Sequence, residues 1–270
     1  MNTANYSKTL EQRGYRMHKG VLLYCFDTPK VKYHKLALKC IQQIEKYLKL
    51  PVRIVTDDET HRHLPWNKGY SYKIIRQQKQ NFRYYNQKKL EWRNHGRSNA
   101  LDDTPFDITL LIDIDYFCFT DNLLQLMDTE YDFLCHDSIF DVSGQNKIMT
   151  PHESSLPLVW ATCCVFKKTE ETKKLFDMIK TVEQHYEHYR NLYRIKHPNF
   201  RNDFAFAIAL HQLGGFVSTK NKIPNALATL SLNNKVLEMT GEKIVFKYNN
   251  KINELTNQDV HVLDKEFIDE

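Results

Sequence analysis

The stretch Phe106-Asp107-Ile108-Thr109-Leu110-Leu111-Ile112-Asp113-Ile114-Asp115-Tyr116-Phe117-Cys118-Phe119 decides how the rest of the chain reads. Leu110, Leu111, Ile112, Ile114, Phe117 and Phe119 form a nearly continuous β-prone apolar segment, the pattern of a strand buried on both faces of a mostly parallel sheet. Two carboxylates interrupt it. Burying an unpaired carboxylate is costly, so the strand should end here and the pair should meet a cation. In an open α/β sheet the carboxyl ends of strands are where ligands bind. A purely structural account is equally open at this point: Asp115 caps the following turn and Asp113 meets a neighbouring Lys or Arg.

Upstream, Gly20 introduces the short β-prone run Val21-Leu22-Leu23-Tyr24-Cys25-Phe26, ended by Asp27-Thr28-Pro29. Leu36, Ala37, Cys40, Ile41, Ile44, Tyr47 and Leu48 then repeat at helical spacing over residues 33–49, and Pro51 stops the pattern. Val52-Arg53-Ile54-Val55-Thr56 follows as a second strand, ending in Asp57-Asp58. This is a βαβ unit and implies a parallel sheet. Tyr72-Lys73-Ile74-Ile75 reads as a third strand. Residues 76–103 are polar, with Arg76, Arg83, Lys88, Lys89, Arg93 and Arg97 among Phe82, Tyr84, Tyr85 and Trp92. Tyr85, Lys89, Trp92 and Gly96 fall near one face and predict a helix within this segment. Its cations and aromatics suit a base with phosphates, or equally a solvated connection anchored to the sheet by its rings.

Downstream, Thr120-Asp121 should cap a short helix with Leu123, Leu124, Leu126 and Met127 inward. Residues 131–135 form another strand, with His136-Asp137 at its end. Residues 138–158 show no regular period and read as a long loop, either a lid or plain disorder. Trp160-Ala161-Thr162-Cys163-Cys164-Val165-Phe166 is a strand, and Thr169 caps a long helix whose stripe is Leu175, Ile179, Val182, Tyr186, Tyr189 and Tyr193. The Tyr-rich end either offers rings to a sugar or is simply core. Asp203 should cap a helix over 204–213 that Gly214-Gly215 ends. A hairpin through Gly241 joins residues 235–238 to 243–246, and Asp259-Val260-His261-Val262-Leu263-Asp264-Lys265 follows as a separate segment.

The composition sets wider bounds. Hydrophobic residues at 41% and charged residues at 26% are ordinary for a soluble globular protein. Lys plus Arg exceed Asp plus Glu by 38 to 33, a formal +5 that permits anionic nucleotides or nucleic acid without arguing for either. No apolar run approaches the roughly 18 residues of a membrane span, so a soluble, cytoplasmic protein is expected. Six cysteines lie in apolar segments without a Cys-X-X-Cys pair and read as reduced core residues. With no repeat or linker, the expectation is one domain over 1–270: a polar lead-in over 1–19, a nucleotide-binding half over 20–135, and an acceptor half with a C-terminal metal and diphosphate segment over 136–270.

A βαβ start with Asp-X-Asp at the end of a mid-chain strand resembles the GT-A class of nucleotide-sugar glycosyltransferases. The resemblance implies an α/β fold, a single domain with a mostly parallel central sheet flanked by helices. It also implies that Asp113 and Asp115 bind Mn²⁺ or Mg²⁺, with Asp115 the direct ligand. Hard carboxylate oxygens suit such a cation, which neutralises charge developing on a leaving diphosphate. Retaining members of the glycogenin and bacterial galactosyltransferase type carry a late His that completes the metal site and a nearby Lys that grips the diphosphate. His261 and Lys265 look like that pair. The family's Gly between them is replaced here by Leu263 or Asp264, and its following Pro-Trp is missing.

The same resemblance implies that Asp27, Thr28 and Asp57 contact the base or ribose. It implies that Arg93, Asn94 and Arg97 contact the diphosphate or donor sugar, and that Asp203 lies near donor sugar and acceptor. In an inverting enzyme Asp203 or Asp137 would be the general base; in a retaining one Asp203 would orient the sugar. The implied donor is a nucleotide diphosphate sugar, a UDP-sugar first among them. The acceptor is left open between a glycan and a hydroxymethylated DNA base of phage type, and the oligomeric state is open. Two rivals are a haloacid-dehalogenase-like phosphatase, whose Asp-X-Asp normally lies on the first strand, and a non-catalytic nucleic-acid or sugar binding module.

Overall fold

The computed structural model describes residues 17–65, 69–76, 82–85, 88–91, 96–143, 152–153, 156–217, 222–265 and 267. In chain order the first half holds β1 (Lys19–Tyr24), α1 (Tyr33–Gln43), β2 (Val52–Thr56), α2 (Asp58–His61), β3 (Tyr70–Ile74), β4 (Phe82–Tyr85) and β5 (Lys88–Glu91). A 3₁₀ turn, Arg97–Asn99, leads to α3 (Ala100–Asp103), β6 (Ile108–Ile112), β7 (Tyr116–Phe117) and α4 (Asn122–Leu126). Next come β8 (Phe133–His136), β9 (Ile139–Asp141), β10 (His152–Glu153), β11 (Leu156–Pro157) and β12 (Trp160–Lys167). Helices α5 (Glu170–Gln184), α6 (Tyr186–Leu192) and α7 (Asn202–Leu213) follow. The remaining strands are β13 (Leu227–Leu230), β14 (Lys235–Met239), β15 (Lys243–Tyr248), β16 (Lys251–Thr256) and β17 (Val260–Val262).

The core is a six-stranded sheet in the order β3-β2-β1-β6-β12-β8. β3, β2, β1 and β6 are parallel, and β12 runs antiparallel to both β6 and β8. The result is the expected α/β arrangement, a mostly parallel sheet with helices on both faces. Strand alternation explains the two faces. Val21, Leu23, Cys25, Leu110 and Ile112 pack with Leu36, Cys40 and Ile41 of α1, whereas Leu22, Tyr24, Leu111, Cys164 and Phe166 pack with Phe176 and Ile179 of α5 and Phe206 of α7. Gly20 is needed where it stands, because a Cβ there would lie 2.4 Å from the Phe106 ring. All six cysteines are buried free thiols, in keeping with the sequence reading.

A second sheet, β7-β17-β13-β9, matters most for the site. β17 pairs antiparallel with β7 and parallel with β13, while β13 pairs parallel with β9. The chain leaves the large sheet after Ile112, turns through Asp113-Ile114-Asp115, and enters the small sheet at Tyr116. The two sheets therefore meet at the two carboxylates.

Several expectations need correction. The helix expected around Tyr85 and Lys89 is an antiparallel hairpin, β4 with β5, since short aromatic-rich segments satisfy a period of two as readily as one of 3.6. The single long helix after Thr169 is two, α5 and α6, because His185 leaves helical backbone at φ −118. Tyr186 and Tyr193 are buried, which favours core over sugar contact for that stripe. The loop over 138–158 contains the short strands β9, β10 and β11. The hairpin gains a third strand, β16, whose largely exposed residues gave no apolar signal. Thr169 does cap α5, accepting from the Thr172 N–H at 3.2 Å.

Candidate metal and diphosphate site

Asp113 and Asp115 stand on the turn between sheets. The Asp113 N–H donates to Thr162 O at 2.9 Å, extending the β6–β12 ladder by one step, and the Tyr116 N–H donates back to Asp113 O at 3.0 Å to close the turn. β17 then arrives alongside: His261 lies opposite Tyr116, and the Val262 N–H donates to Asp115 O at 2.9 Å. This pairing brings residues about 150 positions apart into one cluster. One ligand atom from each of Asp113, Asp115 and His261 falls within 4.8 Å of the others.

The charges in the cluster are paired. Arg97 Nη1 lies 2.6 Å from Asp113 Oδ1, with the Arg97 side chain only 2% exposed. The Lys265 ammonium donates to Asp115 Oδ2 and, at 2.8 Å, to Val262 O. His261 Nε2 is 3.3 Å from Asp115 Oδ1, and its Nδ1 is buried with no hydrogen-bond partner among the described residues. Burial pushes the Asp113 carboxyl up from its ordinary range, which Arg97 only partly offsets and Asp115 reinforces. Burial works the same way on Asp115, but the Lys265 ammonium and His261 together outweigh it and hold that carboxyl well below the usual range. The two neighbouring carboxyls are thus pushed in opposite directions.

Arg97 is placed by a well-anchored turn. Gly96 precedes it at φ +112, a conformation that favours glycine. The Tyr24 hydroxyl and the Lys73 ammonium both reach Asp103 at the far end of α3. Arg97 Nε and Nη2 are buried without partners among the described residues, so two donors remain beside Asp113. Arg93 and Asn94 lie outside the described residues.

Asp203 does not cap α7, contrary to expectation. Arg201 is the N-cap residue, and the Asp203 side chain instead accepts from the Ala161 N–H at 3.0 Å and from Arg201 Nη2 at 2.7 Å. That N–H is free for it because the β12–β8 register shifts between Trp160 and Cys164. Ala161 is followed by Thr162, whose carbonyl accepts from the Asp113 N–H, so Asp203 and Asp113 are held by neighbouring residues of β12. Asp137, at the end of β8, is ion-paired with Lys222.

Asp27, Thr28 and Asp57 follow β1 and β2 on the same edge of the sheet as Asp113, with local duties. The Asp27 carboxylate accepts from the His34 N–H at 2.8 Å and from His34 Nδ1 at 2.6 Å. Thr28 Oγ1 accepts from the Val31 N–H at 3.0 Å, and Asp57 caps α2 through the Thr60 N–H at 2.8 Å. Sequence reasoning missed Lys222 and Arg201. Arg201, two residues before Asp203, offered a spacing cue, whereas Lys222 offered none. Asp264 is buried and accepts from the Val236 N–H at 3.0 Å, so the side chain is turned onto β14.

Two carboxylates and an imidazole with a buried, unpartnered nitrogen form a donor set that suits a divalent cation of the Mn²⁺ or Mg²⁺ kind. Lys265 and Arg97 add cationic donors of the sort that hold phosphate oxygens. Among the described residues no helix is long and apolar enough to cross a membrane.

No protein-family model matches the chain, and no curated protein sequence matches it. Solved structures do. One is the glycosyltransferase GlyE of Streptococcus pneumoniae TIGR4, at 14% identity and TM-score 0.44 over 77% of this chain and 46% of that one. Another is the galactosyltransferase LgtC in complex with donor and acceptor sugar analogues, at 13% identity and TM-score 0.45 over 72% and 70%. A third is the mannosyltransferase PcManGT of Pyrobaculum calidifontis in complex with GDP-Man and Mn²⁺, at 12% identity and TM-score 0.39 over 78% and 55%. The chain spans about half the length of the S. pneumoniae protein. At these identities the likeness is one of chain course.

Proposed function

We propose that this chain is a GT-A-type, metal-dependent glycosyltransferase that moves a sugar from a nucleotide diphosphate sugar, a UDP-sugar first among the candidates, to a hydroxyl acceptor. The observation that carries the reading is the convergence of Asp113, Asp115 and His261 within 4.8 Å, with Lys265 on the second carboxylate. Asp113, Asp115 and His261 would hold Mn²⁺ or Mg²⁺, and the bound cation would neutralise the charge of the departing diphosphate.

The chain's own residues supply the rest. Lys265 is placed to meet diphosphate oxygens, and Arg97 has two further donors beside Asp113. Asp203, held by Arg201 and the Ala161 N–H, orients the donor sugar in a retaining reaction or takes the acceptor proton in an inverting one. Asp137, with Lys222, belongs to the acceptor half, where a glycan and a hydroxymethylated DNA base are the two acceptor classes in view. Asp27, Thr28 and Asp57 line the strand ends where a base and ribose would sit.

Calorimetric titration with a panel of nucleotide diphosphates, with and without Mn²⁺, tests the reading and identifies the base. Metal-dependent binding of one nucleotide supports it. Tight binding without metal, or none to any nucleotide, defeats it. Mass spectrometry of glycans and DNA from an expressing host then separates the acceptor classes.

A further inference from the structure

We propose that Asp259 is a positioning residue for the metal site, a carboxylate clamp that holds the β7–β17 pairing closed and so keeps His261 against Asp115. This rests on the metal-binding role given to His261 above. One oxygen, Asp259 Oδ1, accepts three hydrogen bonds: from the Phe119 N–H at 2.7 Å, the Thr120 N–H at 2.9 Å and the Thr120 hydroxyl at 3.0 Å. Bonds from successive backbone N–H groups to a carboxylate are among the stronger ones a chain can make. The carboxylate and its donors lie about 140 residues apart in sequence, so the contact joins the same two distant stretches that build the site.

The segment that Asp259 grips is itself anchored. Phe117 and Phe119 are buried, and the Phe119 ring meets Tyr47 edge-on with centroids 6.4 Å apart. Asp259 precedes His261 by two residues, so about 7 Å of extended chain separates the clamp from the proposed ligand.

The pairing that the clamp guards is short. β17 is three residues long, at the lower limit for a strand, and meets β7 at two positions, Val260 opposite Phe117 and His261 opposite Tyr116. At the other end of the segment the Leu263 N–H is tied to Leu230 O at 2.9 Å. Removing the clamp should therefore free the His261 end of β17 without releasing the whole strand. The acidic turn has ties of its own, since the Asp113 N–H donates to Thr162 O and the Tyr116 N–H to Asp113 O. Loss of the clamp should thus move His261 and leave Asp113 in place.

Mn²⁺ titration of the full chain without nucleotide tests the proposal, alongside amide exchange at Val262, whose N–H donates to Asp115 O at 2.9 Å. Residues that orient a metal ligand commonly carry about 10–100-fold of the metal affinity, so Asp259→Ala should weaken Mn²⁺ binding within that range and speed exchange at Val262. All three bonds go to one oxygen, so Asp259→Asn keeps the acceptor and should recover most of the affinity. Thr120→Val removes one of the three donors and should give a smaller loss; it decides the matter if Asp259→Ala does not fold. Thr169→Ala, which removes the cap of α5, is the control: it should lower the melting temperature and leave Mn²⁺ affinity and Val262 exchange unchanged. Unchanged affinity in Asp259→Ala, no recovery in Asp259→Asn, or an equal loss in Thr169→Ala would overturn the proposal. If the unsubstituted chain binds no Mn²⁺, the proposed function fails, and exchange at Val262 still judges the clamp: faster exchange in Asp259→Ala supports it, and unchanged exchange overturns it.

Discussion

His261 sits directly across the β7–β17 pairing from Tyr116, and this places its imidazole 3.3 Å from the Asp115 carboxylate. The contact depends on backbone register. A slip of one residue would turn His261 to the opposite face of the strand and bring Val260 or Val262 in its place. The site is thus specified by a ladder of very few residues.

Asp115→Asn should abolish metal-dependent nucleotide diphosphate binding. Substitutions outside a ligand set commonly cost 10–100-fold in metal affinity, so loss of a direct ligand should cost more than about 100-fold. Titration calorimetry with Mn²⁺ reads this directly, and retained affinity would remove Asp115 from the ligand set.

Arg97→Met should destabilise the fold by about 3–5 kcal/mol, because it leaves the Asp113 carboxylate without its buried partner. Pairing it with Asp113→Asn should recover much of that loss. Urea unfolding of the two single variants and the double variant gives the coupling, and strict additivity would show that the pair contributes little to stability.

Burial pushes the His136 imidazole down from 6.5 to about 4, although the Asn225 carbonyl and Asp137 work against it. Its Nδ1 lies 2.7 Å from Asn225 O, and its Nε2 is buried without a partner among the described residues, so a second ring proton would go unsatisfied. The unfolded chain takes up that proton near 6.5 and the folded chain only near 4. The stability is therefore fully present above 6.5 and falls as pH drops through the window to 4, by about 3 kcal/mol in total. Melting temperatures across this range should fall less steeply in His136→Asn, whose amide can still donate to Asn225.

The thiols should be inert in the folded protein. Burial pushes Cys164 up to about 12, and Cys25, Cys118, Cys135 and Cys163 well above their ordinary range. A thiol-specific reagent should titrate none of the six at neutral pH until denaturant is added. Rapid reaction of the native protein would contradict the burial.

The central sheet was legible because each parallel strand declares itself. Val21-Leu22-Leu23 and Leu110-Leu111-Ile112 are unbroken apolar runs, and Asp113 marks where the second run stops being buried on both faces. The hairpin over Phe82–Tyr85 and Lys88–Glu91 was misread, since chance spacing of aromatics over so few residues imitates a helical face. The union of His261 and Lys265 with the acidic pair could be inferred only through family resemblance. β7 and β17 are two and three residues long, too short for any periodicity, and their pairing is a long-range event that local sequence does not encode. Asp203 was given the wrong local duty, because the bulge that frees the Ala161 N–H belongs to another strand.

The seam between the two sheets also bears on how the protein is made. During synthesis the acidic turn emerges some 150 residues before Lys265 does. Until that later segment has been translated and laid down as a strand, Asp113 and Asp115 lack both His261 and Lys265. The cluster is therefore absent from every shorter intermediate, however well its central sheet has already formed.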